Sequence, residues 1–249
     1  MRIISWNVCG FSSICKKGKL FELKRYKPDI SCLQEIKSTK PNIPLEFLIS
    51  GYKPFVNPAK FHGTIILTKP KPIKVTKKIG HQKFDSEGRF LRLDFPNFTL
   101  INVYMPHGGR FKERISYKLE VYDFLLRYLE RIKNEDVILA GDFNIAHKPV
   151  DLARPRENED HTMFTLEERQ KLDELIKLGF VDTFRKFYKS PGYYTWWLRA
   201  YNARKMNVGW RIDYIFVSES LESKLRDAFI LSAVKGSDHC PVGVDISLD

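Results

Sequence analysis

Five strand-like runs in this 249-residue chain end in polar residues with hydrolytic potential, and a sixth encloses one. Asn7 closes ISWN, Glu35 follows ISCLQ and Tyr104 closes LINVY. Asp142 and Asn144 follow VILAG, and Asp238 with His239 follows Gly236. Asp213 lies inside the apolar run WRIDYIFV, where an unpaired carboxylate is very costly, so it requires a partner. A hard divalent cation takes oxygen ligands, and Mg²⁺ uses one or two carboxylates with waters and a substrate phosphate. Glu35 and Asn7 can supply that set, with Asp238 as a further carboxylate. A water nucleophile needs a base and an orienting group, which Asp142 and Asn144 offer on one short loop. Tyr104 and His239 are donors for charge building on a phosphate, and Asp213 suits the role of orienting His239. Singly, each has a structural explanation: Asn7 as a turn cap, Glu35 as a surface charge, Asp142 as a helix cap. Six such places together point instead to metal-assisted phosphodiester hydrolysis.

The elements that must hold these residues are legible as apolar runs. Strands are expected at Ile3–Val8, Ile30–Gln34, Thr64–Thr68, Phe90–Phe95, Thr99–Tyr104, Val137–Ala140, Ile212–Val217 and Val242–Ile246. Several are apolar throughout, as for strands covered on both faces. In Phe111–Ile132, the residues Ile115, Leu119, Tyr122, Leu126 and Leu129 make one helical stripe. Thr165 and Glu168 form a capping box ahead of Leu172, Leu175 and Ile176, with Gly179 as a stop. A weaker helix is expected from about Lys19 to Tyr26. Paired strands alternating with helices over the whole length, with no linker or repeat, indicate packed sheets with outer helices in a single domain, residues 1–249.

Lysine and arginine outnumber acids by 42 to 30, a net charge of +12 that favours a polyanionic partner or simply a lysine-rich solvated surface. The four cysteines, Cys9, Cys15, Cys32 and Cys240, show no zinc or disulfide spacing, and a reducing compartment fits them. The chain opens directly into a strand pattern, and no apolar run approaches a membrane span. A cytoplasmic monomer without membrane contact is expected.

The blocks SWNVCG, LQEIK, NVYMP, GDFNIAH, DLARP, NVGWRIDY and GSDHCP resemble, in order, those of exonuclease III-type abasic-site (AP) endonucleases. The wider endonuclease/exonuclease/phosphatase superfamily shares the Asn, Glu, Asp-x-Asn and Asp-His core. DLARP and NVGWRIDY are characteristic of the DNA-repair branch. The resemblance implies an α/β fold, a four-layer α/β sandwich of two packed mixed sheets flanked by helices. It also implies double-stranded DNA with abasic sites as substrate, cut on the 5′ side to leave a 3′-hydroxyl, with 3′→5′ exonuclease activity. By position, Glu35 matches the main metal ligand, Asn7 its neighbour, and Asp238 a residue near the metal, with Mg²⁺ the implied ion and Mn²⁺ an alternative. Asp142 matches the residue that activates water, with Asn144 beside it. Tyr104 and His239 match the contacts to the scissile phosphate, and Asp213 the partner of His239.

Trp196, Trp210 and Ile212 match the lining of a pocket for an extrahelical abasic sugar, an apolar environment that excludes intact bases by size. Arg110, Arg199, Asn202 and Arg204 are candidates for phosphate or groove contacts. Trp197, adjacent to Trp196, faces the opposite way in an extended segment and suits the core. Three positions depart from the family pattern. Cys9 stands where Asp or Asn is usual, and a thiol is a poor Mg²⁺ ligand. His107 stands where Asn is usual, which predicts a charge varying near pH 6.5. Ala200 occupies the place of a bulky wedge in some relatives. Three other readings are open: incision at uracil by the same chemistry, a phosphatase of inositol phosphates or lipids, and a DNA-binding module that has lost activity. DLARP and NVGWRIDY oppose the phosphatase, and the complete catalytic set opposes the inactive module.

Overall fold

Apolar runs that are buried end to end form the centre of two sheets. In the computed structural model, which describes residues 1–248, the first half contributes β1 (Arg2–Asn7), β2 (Ile30–Gln34), β3 (Lys53–Asn57), β4 (Thr64–Thr68), β5 (Lys74–Thr76) and β6 (Phe90–Asp94). The second half contributes β7 (Thr99–Tyr104), β8 (Val137–Asp142), β9 (Phe180–Asp182), β10 (Asp213–Ser218), β11 (Leu225–Ile230) and β12 (Val242–Ile246). They assemble in the orders β11-β12-β1-β2-β4-β3 and β5-β6-β7-β8-β10-β9. Both sheets are mixed, because β1 runs parallel to β2 and β7 parallel to β8 while the other pairs are antiparallel.

The eight expected strands are all present, within two residues at each end. The four additional ones, β3, β5, β9 and β11, are the edges of the two sheets. These edge strands are half-solvated, β5 and β9 are only three residues long and β3 carries Pro54, so none gives the continuous apolar run by which an interior strand is recognised.

Helices cover the outer faces: α1 (Phe11–Lys16), α2 (Lys19–Lys24) and α3 (Leu45–Ile49) early in the chain, then α4 (Gln82–Ser86), α5 (Ile115–Glu130), α6 (Leu166–Lys177) and α7 (Thr183–Phe187). Leu20, Leu23 and Phe47 pack with Ile4, Trp6 and Leu33 of the first sheet. Val121, Leu125, Leu129 and Leu172 pack with Ile101, Leu139 and Phe216 of the second. Between the sheets, Ile30, Ile66, Leu100, Ile138, Ile215 and Val244 form the shared core, completing four layers. The capping box appears as read: Thr165 Oγ accepts from the Glu168 N–H, and Glu168 accepts from the Thr165 N–H. The helix expected from Phe111 begins at Ile115 instead, because Glu113 folds back to accept from the Phe111 N–H at 2.9 Å.

One polar cross-link ties the sheets together below the polar strand ends. Gln34 Nε2 donates to Ser5 Oγ at 2.9 Å and to Asn102 Oδ1 at 2.8 Å, while Asn102 Nδ2 donates to the carbonyls of Leu33 and Ile65. Buried hydrogen bonds of this kind fix the position of one sheet over the other, although Gln34 Oε1 has no partner among the described residues. No helix among the described residues is long and apolar enough to cross a membrane.

Candidate active site

Strand register brings the predicted residues together at one mouth of the sandwich. In the first sheet Asn7 lies opposite Gln34, so Glu35 follows immediately. In the second, Tyr104 lies opposite Asp142, and Asp142 opposite Asp213. Asn7 Nδ2 joins the two groups, donating to Glu35 Oε2 at 3.0 Å and to Asp142 Oδ2 at 2.8 Å. The strands approach closely at Gly141, where a Cβ would stand 1.9 Å from the Val103 carbonyl oxygen; no other residue fits there.

The catalytic loop turns directly after this glycine. Asn144 holds a left-handed φ of 51°, and its N–H donates to Asp142 Oδ1 at 2.9 Å. Its Nδ2 donates to the Met105 carbonyl at 2.9 Å. Burial first, and the nearby Asp213 charge, push the Asp142 carboxyl up to about 7, while His239 and the Asn7 hydrogen bond act against this. A base of that strength matches proton transfer near neutral pH. His239 Nδ1 pairs with Asp213 Oδ2 at 2.9 Å, and its Nε2 lies 3.9 Å from Asp142 Oδ2. Burial alone would lower the imidazole, but Asp213, then Asp142 and Asp238, raise it to about 10, so it is a cationic donor. The Tyr104 phenol is held well above its usual range by burial and by Glu35, and therefore keeps its proton.

Two sets of side chains offer ligand atoms for an ion. Glu35, Asn7 and Asp238 present oxygens of the hard type that Mg²⁺ and Mn²⁺ take. Their carboxylates attract cations already, Lys37 Nζ at 2.6 Å from Glu35 and Arg199 Nη2 at 3.0 Å from Asp238, and so fit a hard metal. Asp142, Asp213 and His239 place one ligand atom each within 4.8 Å of one another. Because His239 is cationic and its Nδ1 is committed to Asp213, this second set is better suited to donating a proton than to ligating.

A cavity of about 370 Å³ is lined by Trp196, Trp210, Leu198, Tyr201 and Met206 together with the polar side chains of Arg154, Glu157 and Asn158. Backbone bridges link Trp196 to both Trp210 and His239. Ile212 is only 1% exposed and packs behind the two indoles with Leu152 and Phe164. It therefore backs the pocket rather than lining its open face.

Residues 4–239 match the profile of the endonuclease/exonuclease/phosphatase family. The chain belongs to that family. An exodeoxyribonuclease of Bacillus subtilis is 39% identical over the full length of both chains. A DNA-(apurinic or apyrimidinic site) endonuclease of Dictyostelium discoideum is 38% identical over all of this chain and 71% of its own. Among solved structures, an AP endonuclease from Archaeoglobus fulgidus superposes over the whole of both chains with a TM-score of 0.91 at 27% identity.

In this member of the endonuclease/exonuclease/phosphatase family the proposed DNA contacts divide into three groups. Arg110 and Asn202 are exposed, with the Arg110 guanidinium 5.5 Å from the Phe111 ring. Arg199 bonds Asp238 Oδ1 and lies 3.1 Å from Cys9 Sγ, so it covers the ion-binding side of the site. Arg204 is corrected to a structural role: it donates to the carbonyls of Ser232, Val234 and Ser237 and stacks 4.6 Å from the Trp197 ring. Trp197 is core, as read, at 3% exposure. His107 is exposed; its Nδ1 accepts from the Gly109 N–H at 2.9 Å, and desolvation first, then the Lys118 charge, lowers the ring's pKa.

Several residues escaped the sequence reading. Arg89 donates to the Tyr104 carbonyl at 3.1 Å and lies 4.4 Å from its ring, and the His62 ring is 6.1 Å from the same ring. Arg211, fully buried, donates to Asp151 Oδ1 at 2.8 Å and to Asp182 Oδ2 at 2.7 Å. DLARP and NVGWRIDY thus belong together physically, since the Asp of one neutralises the Arg of the other beneath Trp210.

Proposed function

We propose that this chain is a DNA-repair endonuclease that hydrolyses the phosphodiester on the 5′ side of an abasic site, leaving a 3′-hydroxyl, and that the same site acts as a 3′→5′ exonuclease. The observation that carries this reading is the pair of indoles, Trp196 and Trp210, tied through the Trp196 backbone to His239 and so to the cluster of Asp142, Asn144 and Asp213. A deoxyribose without its base can turn out of the helix and pack against these indoles, whereas an intact nucleotide is held in the duplex by stacking and pairing. Glu35 and Asn7 would hold Mg²⁺, with Asp238 close by, and Mn²⁺ suits the same oxygens. Such an ion neutralises charge on the phosphate oxygens.

The chain's own residues account for the rest of the reaction. Asp142 accepts a proton from the attacking water, which Asn144 orients. The His239 imidazolium and the Tyr104 hydroxyl donate to the phosphate oxygens as negative charge builds, and Asp213 keeps His239 charged and correctly turned. Arg110 and Arg199, within an overall charge of +12, provide contacts to the DNA backbone. Tyr201, 88% exposed in a left-handed turn next to Ala200, supplies the large side chain that Ala200 lacks.

The test uses end-labelled duplexes carrying an abasic analogue, uracil or a normal base at one position, each with Mg²⁺ or EDTA. Incision confined to the abasic duplex and dependent on Mg²⁺ is expected. Equal incision at uracil would broaden the substrate to damaged bases, and tight binding without incision would refute the enzymatic reading.

A further inference from the structure

The buried face of α5 contains a lysine with no exposed surface. Lys118 is 0% exposed, as is its partner Glu168. Its Nζ donates to Glu168 Oε1 at 2.6 Å and to the carbonyl oxygen of Asn144 at 2.5 Å. Taking an ammonium and a carboxylate out of water costs several kcal/mol per ion, and an apolar pair of similar volume is often as stable. Stability therefore gives no reason for this lysine, whereas its contact with the catalytic loop does.

Asn144 sits at φ 51°, a conformation that costs a non-glycine residue on the order of 1–3 kcal/mol and persists only where its surroundings over-determine it. Each polar group of Asn144 except its side-chain oxygen is engaged. The N–H goes to Asp142 Oδ1, Nδ2 to the Met105 carbonyl, and the carbonyl receives the Lys118 ammonium. The flanking carbonyls are held in the same way. The Tyr122 hydroxyl, one helical turn after Lys118, donates to the Phe143 carbonyl, and the Tyr214 hydroxyl donates to that of Ile145 at 2.8 Å. Three consecutive carbonyls of the loop thus meet buried donors, and only the central one meets a full charge, which makes the stronger bond. Glu168 cannot turn away, because it also accepts from the N–H groups of Met163 and Thr165 at 3.0 Å.

We propose that Lys118 is a positioning residue for phosphodiester hydrolysis: braced by Glu168, its ammonium fixes the Asn144 carbonyl and with it the left-handed turn that aims Asp142 and Asn144 at the attacking water. The proposal rests on the roles given above to Asp142 and Asn144. Lys118 itself touches no reacting atom.

Lys118→Met alone strands the Glu168 charge and is expected to lower stability, so the informative variant is the double Lys118→Met/Glu168→Gln, in which both charges are removed and one of the two acceptors, that for the Thr165 N–H, is kept. Three quantities are measured: the melting temperature, Kd for uncleaved abasic duplex in EDTA, and the single-turnover cleavage rate in Mg²⁺. The double variant should melt close to wild type and bind within about twofold, yet cleave roughly 10–100-fold more slowly, the loss expected from a small misplacement of catalytic groups. Glu168→Gln alone strands the buried Lys118 ammonium, as Lys118→Met strands the carboxylate, and is expected to lower stability in the same way. A double variant that cleaves at the wild-type rate overturns the proposal, as does one whose stability, binding and rate fall together. Failure of the wild type to cleave would count against the proposed function instead, so the two readings fail separately.

Discussion

At the scale of single residues, the site depends on how burial and neighbouring charge set each group's proton. Asp142 and His239 lie on the same face, yet one is drawn toward neutrality and the other held cationic, because Asp213 shares its charge with the imidazole and Asp142 is desolvated. Type and position of both residues were readable in the sequence; their protonation was not, because it depends on contacts between β8, β10 and the Asp238–His239 turn. His107 shows the same limit. Desolvation, the Lys118 charge and the Gly109 N–H on Nδ1 together favour the neutral form of this exposed ring, so His107→Asn should leave the pH dependence of kcat/KM unchanged between pH 6 and 8. A shifted profile would restore it as a titrating group. The sign for stability follows from the same shift. A histidine depressed below its unfolded value contributes stability that is present above about 6.5 and is lost as pH falls below it. Relative to wild type, His107→Asn should therefore gain melting temperature below that value. Cys9 departs from the family pattern only in its side chain, since its backbone N–H still donates to Asn7 Oδ1 at 3.0 Å.

At the scale of elements, interior strands were readable because both their faces are apolar, and edge strands were not, because one side faces water. The α5 stripe illustrates a different failure. Hydrophobic spacing identified Tyr122, Leu126 and Leu129 correctly but excluded Lys118, because lysine counts as polar; the buried face turns one residue toward Lys118, Val121 and Leu125. A charged residue at a buried helical position becomes recognisable only when its partner, here Glu168 on α6, is seen across the helix pair. The ion cluster beneath the pocket is of the same kind. Arg211 serves Asp151 and Asp182, and Arg185 adds a second cation to Asp151 at 2.6 Å. Arg211→Met would leave two buried carboxylates short of a partner and should cost about 3–5 kcal/mol in urea unfolding. A change below 1 kcal/mol would show that the cluster does not anchor the segment carrying Trp210.

At the scale of the whole molecule, two mixed sheets converge on one mouth, and Asn7 ties Glu35 of the first to Asp142 of the second. The formal charge of +12 surrounds a site that is itself rich in carboxylates, so attraction to DNA must come from the rim rather than the centre. Binding of abasic duplex in EDTA should weaken steeply with salt, as counterions released from neutralised phosphates are recaptured. A salt-independent Kd would mean that the basic surface is only a solvated shell. The most direct measurement is single-turnover incision of a duplex with one abasic analogue, by wild type and Asp142→Asn, with the cut position and the 3′ end of the product determined. Incision on the 5′ side with a polymerase-extendable 3′-hydroxyl, slowed about 10²–10⁴-fold in the variant, is predicted. Incision on the 3′ side, or an Asp142→Asn variant as fast as wild type, would contradict the assignment of Asp142 as the base of a 5′-cutting AP endonuclease.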